Sequence, residues 1–145
     1  MKGKIVRFSA LIILLIALLT CAVGCNSESY QDIYESDRLI LKSSTSTSIA
    51  AVTRSTPTEY ETRIATFSGV KTLKTQFRVQ ENTTIDVTMK IKSGKLKLVL
   101  CSKDKVFPLL VETDHEGALS IDVPAGTYRL RMVGLEADFE LHIVY

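Results

Sequence analysis

IDVTMKIKSGKLKLVL, residues 85–100, decides the fold class. Ile85, Val87, Met89 and Ile91 alternate with Asp86, Thr88, Lys90 and Lys92, and after Ser93-Gly94 the alternation resumes with Leu96, Leu98 and Leu100. Side chains of an extended chain point to opposite faces in turn, so this pattern is a strand with one dry and one wet face. Two such runs separated by Ser-Gly read as a tight hairpin. Pairing Lys92 with Lys95 then sets Ile91 opposite Leu96, Met89 opposite Leu98 and Val87 opposite Leu100. A slip of one residue would carry the leucines to the wrong face.

The same period continues on both sides. Leu73, Phe77 and Val79 alternate in LKTQFRV, Leu119, Ile121 and Val123 in LSIDV, Tyr128, Leu130 and Met132 in YRLRM, and Phe139, Leu141 and Ile143 in FELHI. Half-wet strands of this kind belong to antiparallel sheets, because buried parallel strands read as continuous apolar runs. Pro124-Ala125-Gly126 reads as the turn joining two of them, and 132–138 as a looser turn. Residues 60–145 are therefore expected to form an all-β antiparallel sandwich of roughly seven strands, with a small β-barrel as the alternative.

The N-terminal part is different. Residues 43–58, SSTSTSIAAVTRSTPT, hold ten Ser or Thr in sixteen, the composition of a flexible spacer. RLILK, 38–42, is compatible with a short strand, Tyr30, Ile33 and Tyr34 have helical spacing, and a Thr-rich run also suits an edge strand. The expectation over 25–59 is a lipidated N-terminus followed by a mostly flexible linker.

Residues 1–24 read as a secretory signal: Lys2, Lys4 and Arg7, then the apolar run FSALIILLIALL at 8–19, then small residues. A retained span needs roughly 20 apolar residues, and 8–24 falls a little short. Ala22-Val23-Gly24-Cys25 resembles the lipobox of bacterial lipoproteins. That resemblance implies a diacylglycerol on the Cys25 thiol and cleavage before it, with Cys21 lost. Ordinary signal cleavage at the same bond is the competing reading.

The 18 basic and 16 acidic residues give +2, but without Lys2, Lys4 and Arg7 the balance is fifteen to sixteen. Only Cys101 remains beyond the lipobox, so no disulfide framework forms within the mature chain.

LSIDVPAGTYRL, 119–130, resembles a hairpin common in pre-peptidase C-terminal domains and some carbohydrate-binding modules of bacteria. It implies a fold, not a ligand. The layout as a whole resembles small lipoproteins of Gram-positive bacteria, which implies the extracytoplasmic face of the cell membrane.

No Gly-x-Ser-x-Gly, phosphate-cradling loop or metal-ligand cluster is present, so no enzyme activity, cofactor or metal is expected. His115 sits between acidic neighbours in a polar turn, His142 lies on the wet face of the last strand, and Cys101 ends its strand. Lys90, Lys92, Lys95 and Lys97 fall on one face of the expected hairpin, within a stretch, 71–105, of nine basic and three acidic residues. Two readings stand for them: internal pairing with late-strand acids such as Glu140, or a surface for an anionic wall polymer.

The functional expectation is a membrane-anchored, non-catalytic envelope module binding an anionic polymer or carbohydrate. The alternative is a protein-interaction or accessory subunit of an envelope complex. Nucleic acid is not an expected partner. An exposed aromatic stripe would favour carbohydrate, and an uncovered long edge a protein partner.

Overall fold

The computed structural model describes residues 29–145. Residues 1–28, with the expected signal segment and Cys25, lie outside the described residues. The elements are α1 (Tyr30–Glu35), α2 (Asp37–Lys42), β1 (Ser46–Ser55), β2 (Glu59–Val79), β3 (Thr84–Cys101), β4 (Val106–Val111), β5 (His115–Ser120) and β6 (Gly126–Val144). All strand pairs are antiparallel, in the order β1-β2-β6-β3-β4, with β5 also on β3. The end strands β1 and β4 do not meet, so the sheet is open rather than a barrel.

β2, β3 and β6 are 21, 18 and 19 residues long, far beyond an ordinary strand. They fold the sheet over on itself. Phe77, near the end of β2, sits 6.1 Å from the Tyr145 ring, whose neighbour Val144 pairs with Glu59 at the start of β2. One sheet thus makes both layers of a sandwich. The first layer holds β1, the first half of β2, the second half of β6, the first half of β3 and β5. The second holds the remaining halves and β4.

Ile64, Phe67, Met89, Leu96, Leu98, Leu100, Leu130, Met132, Phe139, Leu141 and Ile143 fill the space between the layers. Each such side chain contributes roughly 1.5–3 kcal/mol by leaving water. Phe67 and Phe139 meet edge-on at the fold line, with centroids 6.0 Å apart.

Three expected turns are corrected. Ser93-Gly94 is not a hairpin: β3 runs through it, and β6 stays paired from Asp86↔Val144 to Cys101↔Arg129. Residues 132–138 likewise lie inside β6. The parity of buried residues does switch, from Ile85, Val87 and Met89 to Leu96, Leu98 and Leu100, and in β6 from Met132 to Ala137. A two-residue hairpin and a bulged bend offset the apolar alternation equally, so the pattern alone does not separate them. Gly94 takes φ +72°, and a Cβ there would sit 2.2 Å from the Glu136 carbonyl oxygen. Opposite it Glu136 has φ 50°, and its N–H donates to Ser68 Oγ at 2.9 Å. The third correction is 119–130. β5 pairs with β3 and β6 begins in the other layer at Gly126, so Pro124 and Ala125 lie in a crossover between layers. Tyr128 fastens it by donating to the Pro124 carbonyl at 2.6 Å.

The expectation of a mostly flexible linker over 25–59 also differs from the structure, which places 30–55 in two helices and a strand. Ser29 opens α1 with a capping box: its hydroxyl accepts from the Asp32 N–H at 3.2 Å, and the Asp32 carboxylate accepts from the Ser29 N–H at 3.1 Å. The Ser29 hydroxyl, which donates to the Asp32 carboxylate at 2.7 Å, and then the Ser29 N–H hold that carboxyl below the usual range. RLILK, compatible with a strand on composition, is the body of α2. Helices of six residues do not persist alone, and these are held by packing. Ile33, Tyr34, Leu39 and Ile40 close over Val70, Val99, Cys101, Val106 and Val133 on the outer face of the second layer.

Arg131 anchors that cover. Only 2% exposed, its guanidinium donates to the Ser43 carbonyl at 2.8 Å, to Thr72 Oγ1 at 3.0 Å and to the Ile40 carbonyl. These acceptors include carbonyls at the end of α2, where a helix has no partners of its own and carries partial negative charge.

Candidate functional site

The helices cover the second layer and leave the first layer's outer face bare. Across it runs a row fixed by register: Val52 on β1 opposite Arg63 on β2, Arg63 opposite Glu140 on β6, Glu140 opposite Lys90 on β3. Arg63 and Lys92 approach Glu140 at 3.6 and 3.1 Å, and Lys90 approaches Glu116 at 4.0 Å. The Lys92 ammonium bonding to Glu140, with Arg63 and Lys90 beside it, holds that carboxyl below the usual range. In the next row His142 Nε2 lies 2.6 Å from Glu59 Oε1. Of these, Glu59, Arg63, Lys90, Glu140 and His142 line a shallow groove of about 250 Å³. They satisfy one another, and no cluster of three or more metal-ligating side chains forms among the described residues.

The four singled-out lysines do not share one surface. Lys90 and Lys92 stand on the charged face with acidic partners, as the internal-pairing reading had it for Glu140. Lys95 and Lys97 lie past the bend, 5.9 and 4.5 Å from the Tyr34 ring of α1. Burial lowers the Lys97 pKa, against the pull of Asp37, Glu112 and Glu35. Tyr34 Oη donates to Glu112 at 2.9 Å, and burial raises its hydroxyl pKa. Since 90–97 is a bent strand and not a hairpin, Lys92 does not oppose Lys95, nor Lys90 Lys97.

His142 is on the wet face, as the alternation implies. His115 belongs to β5 instead of a turn, opposite Met89, with Nε2 3.2 Å from the Gly117 carbonyl. Cys101 ends β3, as the alternation implies, and is buried under the helices, where burial raises its thiol pKa despite Arg131 and Arg129 nearby. Every described phenylalanine and tyrosine is buried or half-buried, so no exposed aromatic stripe exists among the described residues.

The feature least provided for by the rest of the fold is the free edge of β1. Every one of its ten residues is exposed. Ile49 and Val52, 67% and 74% exposed, are the two most exposed large apolar side chains of the described residues. On the inner side β1 is well fastened: Thr62 Oγ1 lies 2.8 Å from Thr53 Oγ1 and donates to the Val52 carbonyl at 3.0 Å. On the outer side no strand pairs with it. An unpaired edge presents a row of N–H and C=O groups that another strand can complete. The sequence carries the signal in 46–55, a β-branched run with no proline and Arg54 as its one charge, but inside a Ser/Thr-rich stretch that also describes a tether.

No family model matches the chain, and no curated protein is detectably similar to it. Among solved structures the chain is similar to a mutant of a carbohydrate binding module family 29, at 12% identity and a TM-score of 0.37, over 69% of this chain and 76% of that one. A likeness at that level says nothing about ligand.

Proposed function

We propose that this chain is a lipid-anchored protein of the bacterial cell envelope whose sandwich is a non-catalytic binding module, and that it binds protein by accepting a strand along β1. The observation that carries this reading is the free edge: ten consecutive exposed residues with no covering element and no proline. Main-chain hydrogen bonds give such a contact its affinity, and alternate side chains give it selectivity. The basic, apolar and Ala-Val-Gly-Cys order of 1–25 supports export and anchoring through Cys25. Carbohydrate finds less support, because among the described residues no aromatic side chain is exposed to stack on a sugar ring. An anionic wall polymer also finds less, because Lys90 and Lys92 already face carboxylates.

The test is a photo-crosslinking residue placed at Thr47 on the edge or at Asp122 in the distant crossover, in the full chain in cells. The expected result is a discrete adduct from Thr47 only, lost when Ser48→Pro removes an outward N–H. Adducts that survive Ser48→Pro, or that form equally from Asp122, would contradict strand addition. Val52→Lys serves as a second blocking variant if Ser48→Pro does not fold.

A further inference from the structure

We infer that the strand received at β1 is β1 of a second copy of this chain, in a two-fold antiparallel pair centred between Ala50 and Ala51. The inference rests on the strand-addition reading above and names its occupant.

The free edge is self-complementary in its hydrogen-bonding phase. Val70 N–H donates to the Thr45 carbonyl and Thr56 N–H to the Glu59 carbonyl, at 3.0 and 2.8 Å. Residues 45 and 56 therefore turn their main-chain groups towards β2. Successive residues of a strand turn them to opposite sides. Counting inward from the two ends, Ser46, Ser48, Ala51, Thr53 and Ser55 face the open side. The alternation changes phase between 48 and 51, where Ala50 has φ 49°. That left-handed conformation is unfavourable for alanine, so it is a local irregularity with a geometric result. Without it, outward groups would all fall on one parity. With it, Ser46 meets Ser55 and Ser48 meets Thr53 in a single two-fold register, on each side of an Ala50–Ala51 centre.

The side chains fit the same register. Ile49 falls opposite Val52 of the other copy in a non-hydrogen-bonded pair, where side chains are closest. The two most exposed apolar side chains are thereby covered twice over, once on each side of the axis. Arg54 falls opposite Thr47, and the two Arg54 residues stand seven residues apart, about 24 Å, too far to repel through physiological salt. STSIAAVTRS reads as a pseudo-palindrome: Ser with Ser, Thr with Arg, Ser with Thr, Ile with Val, Ala with Ala. An isologous contact demands this property, and an edge evolved for a foreign strand does not.

The register is tested by thiol pairing. Full chain carrying Cys21→Ser and Cys25→Ser, in detergent, is prepared as Ile49→Cys and separately as Val52→Cys. Cys101 is 1% exposed and stays out of reach. The two preparations are oxidised with diamide, alone and mixed. Position 49 lies within disulfide range of position 52 of the other copy, while like positions are offset by about 10 Å and cannot be bridged. The expected result is a covalent dimer in the mixture at a yield at least tenfold above either preparation alone. No dimer in the mixture, or equal dimer in all three, overturns the inference. If the Thr47 photo-adduct in cells contains a different protein while the mixture stays monomeric, self-pairing is overturned and strand addition survives. Loss of both overturns both. Ile49 and Val52 are exposed, and unchanged melting of each variant excludes misfolding as the cause.

Discussion

The two edges of this sheet are built on opposite rules. On the far side of β3 lie two short strands end to end, β5 and β4, six residues each. Pro108 interrupts the donors of β4, Gly117 loosens β5, and Glu112, at φ 49°, breaks the line between them. An incoming strand would find no continuous template there. On the other side β1 offers ten residues, no proline and one charge. β4 and β5 give Val106, Leu110 and Leu119 to the packed interior, whereas all ten residues of β1 are exposed. One edge is blunted by three devices and the other is left long, which is the asymmetry that the proposed pairing at β1 requires.

The largest effect expected from breaking this contrast comes from a residue off the edge. β1 follows α2 directly, and Arg131 holds the end of α2 to the sheet. Arg131→Ala strands the carbonyls of Ile40 and Ser43 without donors and removes a buried side chain. We expect a loss of about 3 kcal/mol in chemical denaturation, with protease cleavage appearing around 38–46. Unchanged stability with an intact N-terminal segment would mean that α1 and α2 stay in place without this anchor.

The smallest effect lies on the charged face beside the edge. The Glu140 pKa is lowered in the folded protein, mainly by its bond to Lys92. Its contribution is complete above the ordinary carboxylate value of 4.5 and is lost as pH falls through the folded value. The melting temperature of the wild type is expected to drop below that pH, and that of Glu140→Gln to be flatter there. Parallel curves would show that the Arg63–Glu140–Lys92 contacts do not couple to folding.

The sequence made the core legible and the connectivity illegible, for the same reason. Period-two alternation reports which face a residue occupies, and Ile85, Val87, Met89, Leu96, Leu98, Leu100, Leu130, Met132, Phe139, Leu141 and Ile143 are buried as it implies. Alternation does not report whether a change of parity is a turn or a bulge, so Ser93-Gly94 and 132–138 read as turns. The helical cover left a readable trace. Val99, Cys101 and Val133 stand at positions that should be wet, and apolar residues on both faces of a strand mean burial on both sides. Arg131 left none, because an arginine at a wet position looks like any surface charge. β1 was readable as an edge strand through its β-branched residues but not separable by composition from a spacer. Its lack of a partner depends on where β2, β3 and β6 go, which no local pattern states.

The most direct test is sedimentation equilibrium of the full chain in detergent, wild type beside Ser48→Pro, across a range of protein concentrations. Ser48 turns its N–H to the open side, so proline there should leave the β1–β2 ladder intact and change stability by less than about 1 kcal/mol. The account predicts that the wild type moves from monomer to dimer as concentration rises, while Ser48→Pro stays monomeric and melts at nearly the same temperature. A wild type that remains monomeric throughout, or a Ser48→Pro chain that associates equally, would contradict it.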